Sequence, residues 1–268
     1  MLKSVFRIET DGEPVLTWKG VLISIGIYPL YVFIFPLLTQ LAMMFYFTLG
    51  ENGLSFAEAL DWTRADQNII LINIIAYGLS AAFILLLFSR FVWASLKHSV
   101  KTFSAVLPVT IVLGLIVYVV LSAVVGAQLR KYGLVESENN TAVTAMIREN
   151  APAMLVLTCV LAPFVEEFIF RAAWFRPLWR KFAPAAALLG LFLFGLHHVW
   201  SAVLTGFNPA YWNYTELIYI LQYLPGGLVM IYCYCLNKNI WSAILMHSVV
   251  NLLATLLTIY VDTGIRVF

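Results

Sequence analysis

Residues 21–49 read Val21-Leu-Ile-Ser-Ile-Gly-Ile-Tyr-Pro29-Leu-Tyr-Val-Phe-Ile-Phe-Pro36-Leu-Leu-Thr-Gln-Leu-Ala-Met-Met-Phe-Tyr-Phe-Thr-Leu49, without one Asp, Glu, Lys or Arg. A helix needs about 20 apolar residues to cross roughly 30 Å of hydrocarbon. The stretch exceeds that length. It is also longer than the apolar region of a cleavable signal, about 7–15 residues. It reads as a retained signal anchor, kinked by Pro29 and Pro36.

Further runs free of ionisable side chains follow: Ile69–Ser89, Thr102–Leu129, Ala151–Val165, Phe182–Thr215, Leu217–Asn237 and Asn239–Val261. The fourth run reaches spanning length only if it continues through Glu166, Glu167 and Arg171 to about Trp174. The bilayer core admits helices or closed barrels, because every backbone group must be satisfied internally. None of these runs alternates with period two. The expected fold class is therefore all-α, a polytopic transmembrane helix bundle of about seven spans (six to eight).

The rest of the composition agrees. The 268 residues are 62% hydrophobic and 11% charged, against about 45–50% and 25% in soluble domains. This excludes a soluble enzyme, a disordered chain and a disulfide scaffold. A net charge of +2 gives no sign of a nucleic-acid partner; the lipid bilayer is the expected one. Cys159, Cys233 and Cys235 lie in apolar runs and read as small buried hydrophobes. Ten Lys and Arg residues lie on the side of the N-terminus and five on the other. By the positive-inside rule the expected location is the cell membrane, multi-pass, with the N-terminus cytoplasmic. His98 falls in a basic inner loop and reads as solvated.

Polar groups divide the chain. Residues 1–149 hold almost none within their spans; residues 150–260 hold nearly all of them and are the expected functional core. Ionisable groups at membrane depth cost about 2.5–3.5 kcal/mol each on insertion scales. Here they are Glu166, Glu167, Arg171, His197, His198 and His247, with Asn251 as a neutral companion. Glu167 and Arg171 are spaced i,i+4 and can neutralise each other. Glu166 points about 100° away from Glu167 and lacks a local counter-charge. It is either a general base or a member of one structural ion cluster. His197 and His198 also point about 100° apart, so one site cannot easily use both. His247 and Asn251 share a helical face. Three elements on three spans are most economically explained by one internal site, with Glu166, His198, His247 and Asn251 within about 8 Å of one another. His197 is expected to face a neighbouring helix. On straight spans, Glu166 lies near the inner end of its helix and His198 about 24 Å along the next one, which would separate them in depth.

The order Glu166-Glu167-x-x-x-Arg171, Phe194-x-x-x-His198 and His247-x-x-x-Asn251 resembles the CAAX protease and bacteriocin-processing membrane proteases (the CPBP or Abi family). Their eukaryotic relatives are the type 2 CAAX prenyl proteases. Leu161-Ala162-Pro163-Phe164-Val165 and Phe194-Gly195-Leu196 match as well. The resemblance covers about residues 150–258. It implies an intramembrane endopeptidase in which Glu166 activates water, His198 assists, and His247 with Asn251 stabilises the oxyanion. Glu167 and Arg171 would be the orienting pair. The substrate implied is a peptide precursor or a membrane-protein tail. The family is often labelled metalloprotease, and zinc on Glu166, His198 and His247 is the alternative to the favoured metal-independent chemistry. Two other functions fit the residues: a non-catalytic immunity or regulatory protein that binds a peptide or membrane partner, and a proton-coupled transporter.

Overall fold

The computed structural model describes residues 5–50, 53–102, 106–204 and 212–260. Seven helices among them are long and apolar enough to cross a membrane: Trp18–Leu49, Gln67–Thr102, Val106–Lys131, Ala151–Trp179, Ala183–Val203, Tyr214–Asn237 and Ile240–Tyr260. They are called the first to seventh spans below. The all-α expectation holds.

Two spans outrun their charge-free stretches. The second continues past Ser89 to Thr102, with a break in helical geometry at Phe88 (φ −123°, ψ 16°). His98 is therefore a buried helical residue, not a solvated loop residue. The fourth span runs to Trp179, thirteen residues beyond Glu166, and the fifth begins at Ala183, fifteen before His198. At 1.5 Å per residue these are about 20 and 22 Å. The two side chains thus lie at the same depth, and the separation expected from straight spans disappears.

Shorter elements dress the bundle. Phe56–Arg64 starts with a capping box between Ser55 and Glu58, and Glu138–Glu149 is capped by Ser137. Asn150 accepts from the Ala153 amide and opens the fourth span. The charge pattern did not announce a small antiparallel hairpin. Strand β1 (Phe6–Ile8) pairs with β2 (Pro14–Leu16) in the register Phe6↔Leu16, Arg7↔Val15 and Ile8↔Pro14. The hairpin grips the end of the bundle. Glu13 is buried and takes the Arg176 guanidinium and the Tyr234 hydroxyl. Glu9 pairs with Arg180, and Asp11 with Lys238 at 2.8 Å. The hydrogen bond from Lys238 holds the Asp11 carboxyl below its ordinary range.

Where the hairpin meets the first span, a Cβ on Gly20 would lie 2.2 Å from the Val5 carbonyl oxygen. Gly20→Ala should push hairpin and helix apart and lower stability by about 1–3 kcal/mol, the usual cost of overpacking. Thermal unfolding in detergent measures this; an unchanged midpoint would show that the hairpin is not clamped there.

Aromatic rings fill the core of the bundle. Phe88, Phe91, Phe168, Phe170 and Phe175 are all buried in one cluster. The fourth and sixth spans are the most buried and the third the least. Gly195 lets the fifth and sixth spans close, since a Cβ there would lie 2.7 Å from Ile220 Cγ2. Small residues at such crossings are how membrane helices approach one another.

Candidate active site

Proline shapes the helices that carry the site. Three wide, π-type turns occur in the first and fourth spans: Leu30–Ile34, Leu157–Leu161 and Phe168–Phe175. Each ends one residue before a residue–proline pair: Phe35-Pro36, Ala162-Pro163 and Arg176-Pro177. In each, the residue before the proline donates its N–H five residues back, to Leu30, Leu157 and Arg171 respectively. Proline has no N–H to continue the ladder, so the carbonyl after each of these acceptors loses its helical donor. Wide turns of this kind are frequent at functional sites.

The carbonyl of Thr158 is one of those left over. Asn251 Nδ2 of the seventh span donates to it at 2.7 Å. Asn251 thus satisfies a backbone group that would otherwise be stranded in the bilayer, and it lines the site cavity at the same time.

Glu167 and Arg171 form the ion pair expected from their spacing, with Arg171 Nε 3.0 Å from Glu167 Oε2. Both are fully buried. The guanidinium also lies 4.4 Å from the centre of the Phe194 ring. The other oxygen of Glu167 accepts from His247 Nδ1 at 2.9 Å. A carboxylate behind an imidazole in this way fixes the ring's orientation and its tautomer. His198 is fixed differently: Nδ1 donates to the Phe194 carbonyl at 2.8 Å, and the ring stacks on Tyr223 with centroids 4.3 Å apart.

Both rings therefore turn Nε2 toward Glu166. The distances to Glu166 Oε2 are 3.9 Å from His198 and 4.0 Å from His247. Neither is a direct hydrogen bond. Glu166 Oε2 is buried and, among the described residues, has no hydrogen-bond partner. With each Nδ1 committed to an acceptor, each neutral ring offers a lone pair at Nε2. Three acceptor atoms thus face one small gap, which suits an occupant that donates.

The structure brings Glu166, His198 and His247 together and places Asn251 on the wall of the same cavity of about 320 Å³. The cavity also reaches the helix Glu138–Glu149 through Asn140, Val143 and Met146. His197 turns toward the first span, as its helical offset implies, with Nε2 2.9 Å from the Tyr31 hydroxyl. Its ring nonetheless lines the cavity. The sequence reading missed the tyrosines. Tyr77 of the second span donates to Glu166 Oε1 at 2.9 Å, and the Tyr31 hydroxyl lies 3.4 Å from the same oxygen. The spans without motifs thus contribute directly to the surroundings of Glu166. Pro29 and Pro36 in the sequence flank the wide turn that holds Tyr31 and are the signal that could have pointed there.

Comparison with known proteins agrees with this placement. Residues 148–253 match the family described as type II CAAX prenyl endopeptidase Rce1-like. A Bacillus subtilis (strain 168) protein named "Putative membrane peptidase YdiL" is 28% identical over 117 residues, which is 43% of this chain and 41% of that relative. The chain thus spans well under half of that relative's length. No solved structure matches the chain. Both matches support a membrane protease. Over residues 148–253, which hold all three motifs, this chain is similar to the type II CAAX prenyl endopeptidases.

Proposed function

We propose that the chain is an intramembrane endopeptidase that cleaves a peptide precursor or a membrane-protein tail with a water activated by Glu166. The observation that carries this reading is the unpartnered Glu166 Oε2, 3.9 and 4.0 Å from two imidazole nitrogens. A buried acceptor without a donor is costly. A water seated between the three atoms donates one hydrogen to Glu166 Oε2 and the other to His198 Nε2. Its free lone pair then faces a scissile carbonyl carbon in the cavity.

The chemistry follows from these contacts. Attack forms the C–O bond as Glu166 takes the water's proton. The carbonyl becomes an oxyanion, which needs donors already in place. His247 serves as one when it carries a proton on Nε2, with Glu167 behind its Nδ1. In that state Glu166, Glu167, Arg171 and His247 sum to zero charge, the cheapest arrangement at membrane depth. Asn251 assists from the cavity wall while holding the Thr158 carbonyl. Collapse breaks the C–N bond, and Glu166 passes its proton to the leaving amine.

Glu166, His198 and His247 are also a donor set that zinc accepts. Tetrahedral zinc at about 2.0–2.1 Å from each ligand would hold donor atoms roughly 3.3–3.4 Å apart. The separations to Glu166 Oε2 are wider by about half an ångström, and the metal-independent form fits better. We place the functional core in residues 150–260, with residues 1–149 adding Tyr31 and Tyr77. We place the protein in the cell membrane, with the N-terminus and its hairpin on the cytoplasmic side.

The test uses the purified protein in liposomes with a panel of precursor peptides. Wild type should cleave, and His198→Ala should lose about 10²–10⁴-fold in rate while still accumulating in the membrane. A strong zinc chelator should leave the rate within twofold. Loss on chelation with recovery on added zinc would replace the metal-independent form. Binding without cleavage would favour the regulatory reading, and proton flux across sealed vesicles the transporter.

A further inference from the structure

We infer that Tyr77, Tyr31 and His197 are positioning residues for Glu166, joined in a hydrogen-bond chain that runs in one direction and ends on its Oε1. The inference rests on the endopeptidase reading and adds residues that none of the motifs contains.

Counting protons fixes the direction. Glu166 Oε1 can only accept, so Tyr77 commits its single hydroxyl proton there at 2.9 Å. The Tyr77 oxygen is then free to accept, and Tyr31 lies 2.6 Å away and donates to it. Tyr31 has no second proton for His197 Nε2 at 2.9 Å, so that nitrogen must carry the hydrogen and donate to Tyr31. His197 Nδ1 is left bare and accepts from the Tyr28 hydroxyl at 3.3 Å. Every donor now has an acceptor. The reverse direction would leave Glu166 Oε1 without its Tyr77 donor.

Three consequences follow for the site. One oxygen of Glu166 is pinned, so only Oε2 meets the water. Hydrogen bonds aligned head to tail polarise one another, which strengthens the last of them onto the carboxylate. The two adjacent histidines take opposite tautomers: His198 carries its hydrogen on Nδ1 and His197 on Nε2. That difference explains why neighbouring imidazoles at one depth do different work. Rigid support of this kind is what keeps a reacting group in productive geometry.

The chain predicts a graded kinetic series in the full-length protein in liposomes. Tyr77→Phe should lower kcat about 10–100-fold, the usual range for a lost partner behind a reacting group, with KM within twofold. Tyr31→Phe should lower kcat less, by about three- to tenfold, because Tyr77 still reaches Glu166. His197→Ala should have the smallest effect of the three. Accumulation in the membrane and thermal midpoint are measured beside each variant. A well-folded Tyr77→Phe with kcat within twofold of wild type overturns the inference, as does a loss seen in KM alone. If Tyr77→Phe does not accumulate, Tyr31→Phe decides by the same criterion. Glu166→Gln run in parallel separates the failures: if it still cleaves, the endopeptidase reading itself falls.

Discussion

Glu166→Gln is expected to give a protein that inserts, folds and melts at least as high as wild type, yet cleaves at a rate lower by about 10²–10⁴-fold, the contribution of a positioned base. The amide is nearly isosteric with the carboxylate. Its carbonyl oxygen can keep the Tyr77 hydrogen bond at Oε1. Its NH₂ then takes the position of Oε2, where the nitrogens of His198 and His247 at 3.9 and 4.0 Å are acceptors in want of a donor. The substitution removes the base and relieves the crowding of acceptors in one step. A membrane-fraction blot, a melting curve and a peptide-cleavage assay check it. If the variant misfolds, Glu166 belongs to a structural ion cluster; if it cleaves normally, another group is the base.

Arg171→Ala should behave in the opposite manner, with the fold failing before the chemistry can be read. Arg171 and Glu167 are both buried and paired at 3.0 Å. Removing one partner of a buried pair typically costs about 3–5 kcal/mol, because the other charge is left uncompensated. Glu167 would keep only His247, and the Phe194 ring would lose the cation it packs against. Accumulation in the membrane should fall several-fold, and the thermal midpoint of what remains should drop. A variant that accumulates and melts like wild type would mean that Glu167 is satisfied without its arginine.

What could be read from the residues followed their energetic cost. Charge-free runs declared the spans because lipid tolerates little else. They underestimated the length of the second and fourth, since Arg90, Lys97 and Arg176 end a run of apolar letters without ending a helix. Glu166, His198 and His247 were legible because ionisable groups at membrane depth are expensive enough to need a reason. Tyr31 and Tyr77 were not, because a phenol in a span is ordinary. Thirteen tyrosines in the chain give no clue as to which two reach a carboxylate. The spacing of His247 and Asn251 placed them on one face correctly. It could not show that Asn251 answers the Thr158 carbonyl, since that acceptor is freed only by the irregular turn before Pro163. The hairpin escaped for a similar reason: three-residue strands leave too short a pattern to register.

The wide turns bind the chemistry to the number of residues in the chain as well as to their identity. Each holds one residue more than a regular turn of the same helix. Deleting a single residue from Leu157–Leu161 would let the fourth span regain regular spacing and remain a good membrane helix, at no obvious loss of hydrophobicity. Everything after the deletion would be rotated by about 100° relative to everything before it. Glu166, Glu167 and Arg171 would then swing away from His198, His247 and Tyr77 even though every side chain was still present. Insertions and deletions in this stretch therefore act like a change of phase, whereas the short connection at 180–182, which carries no such turn, can absorb a length change without rotating the site.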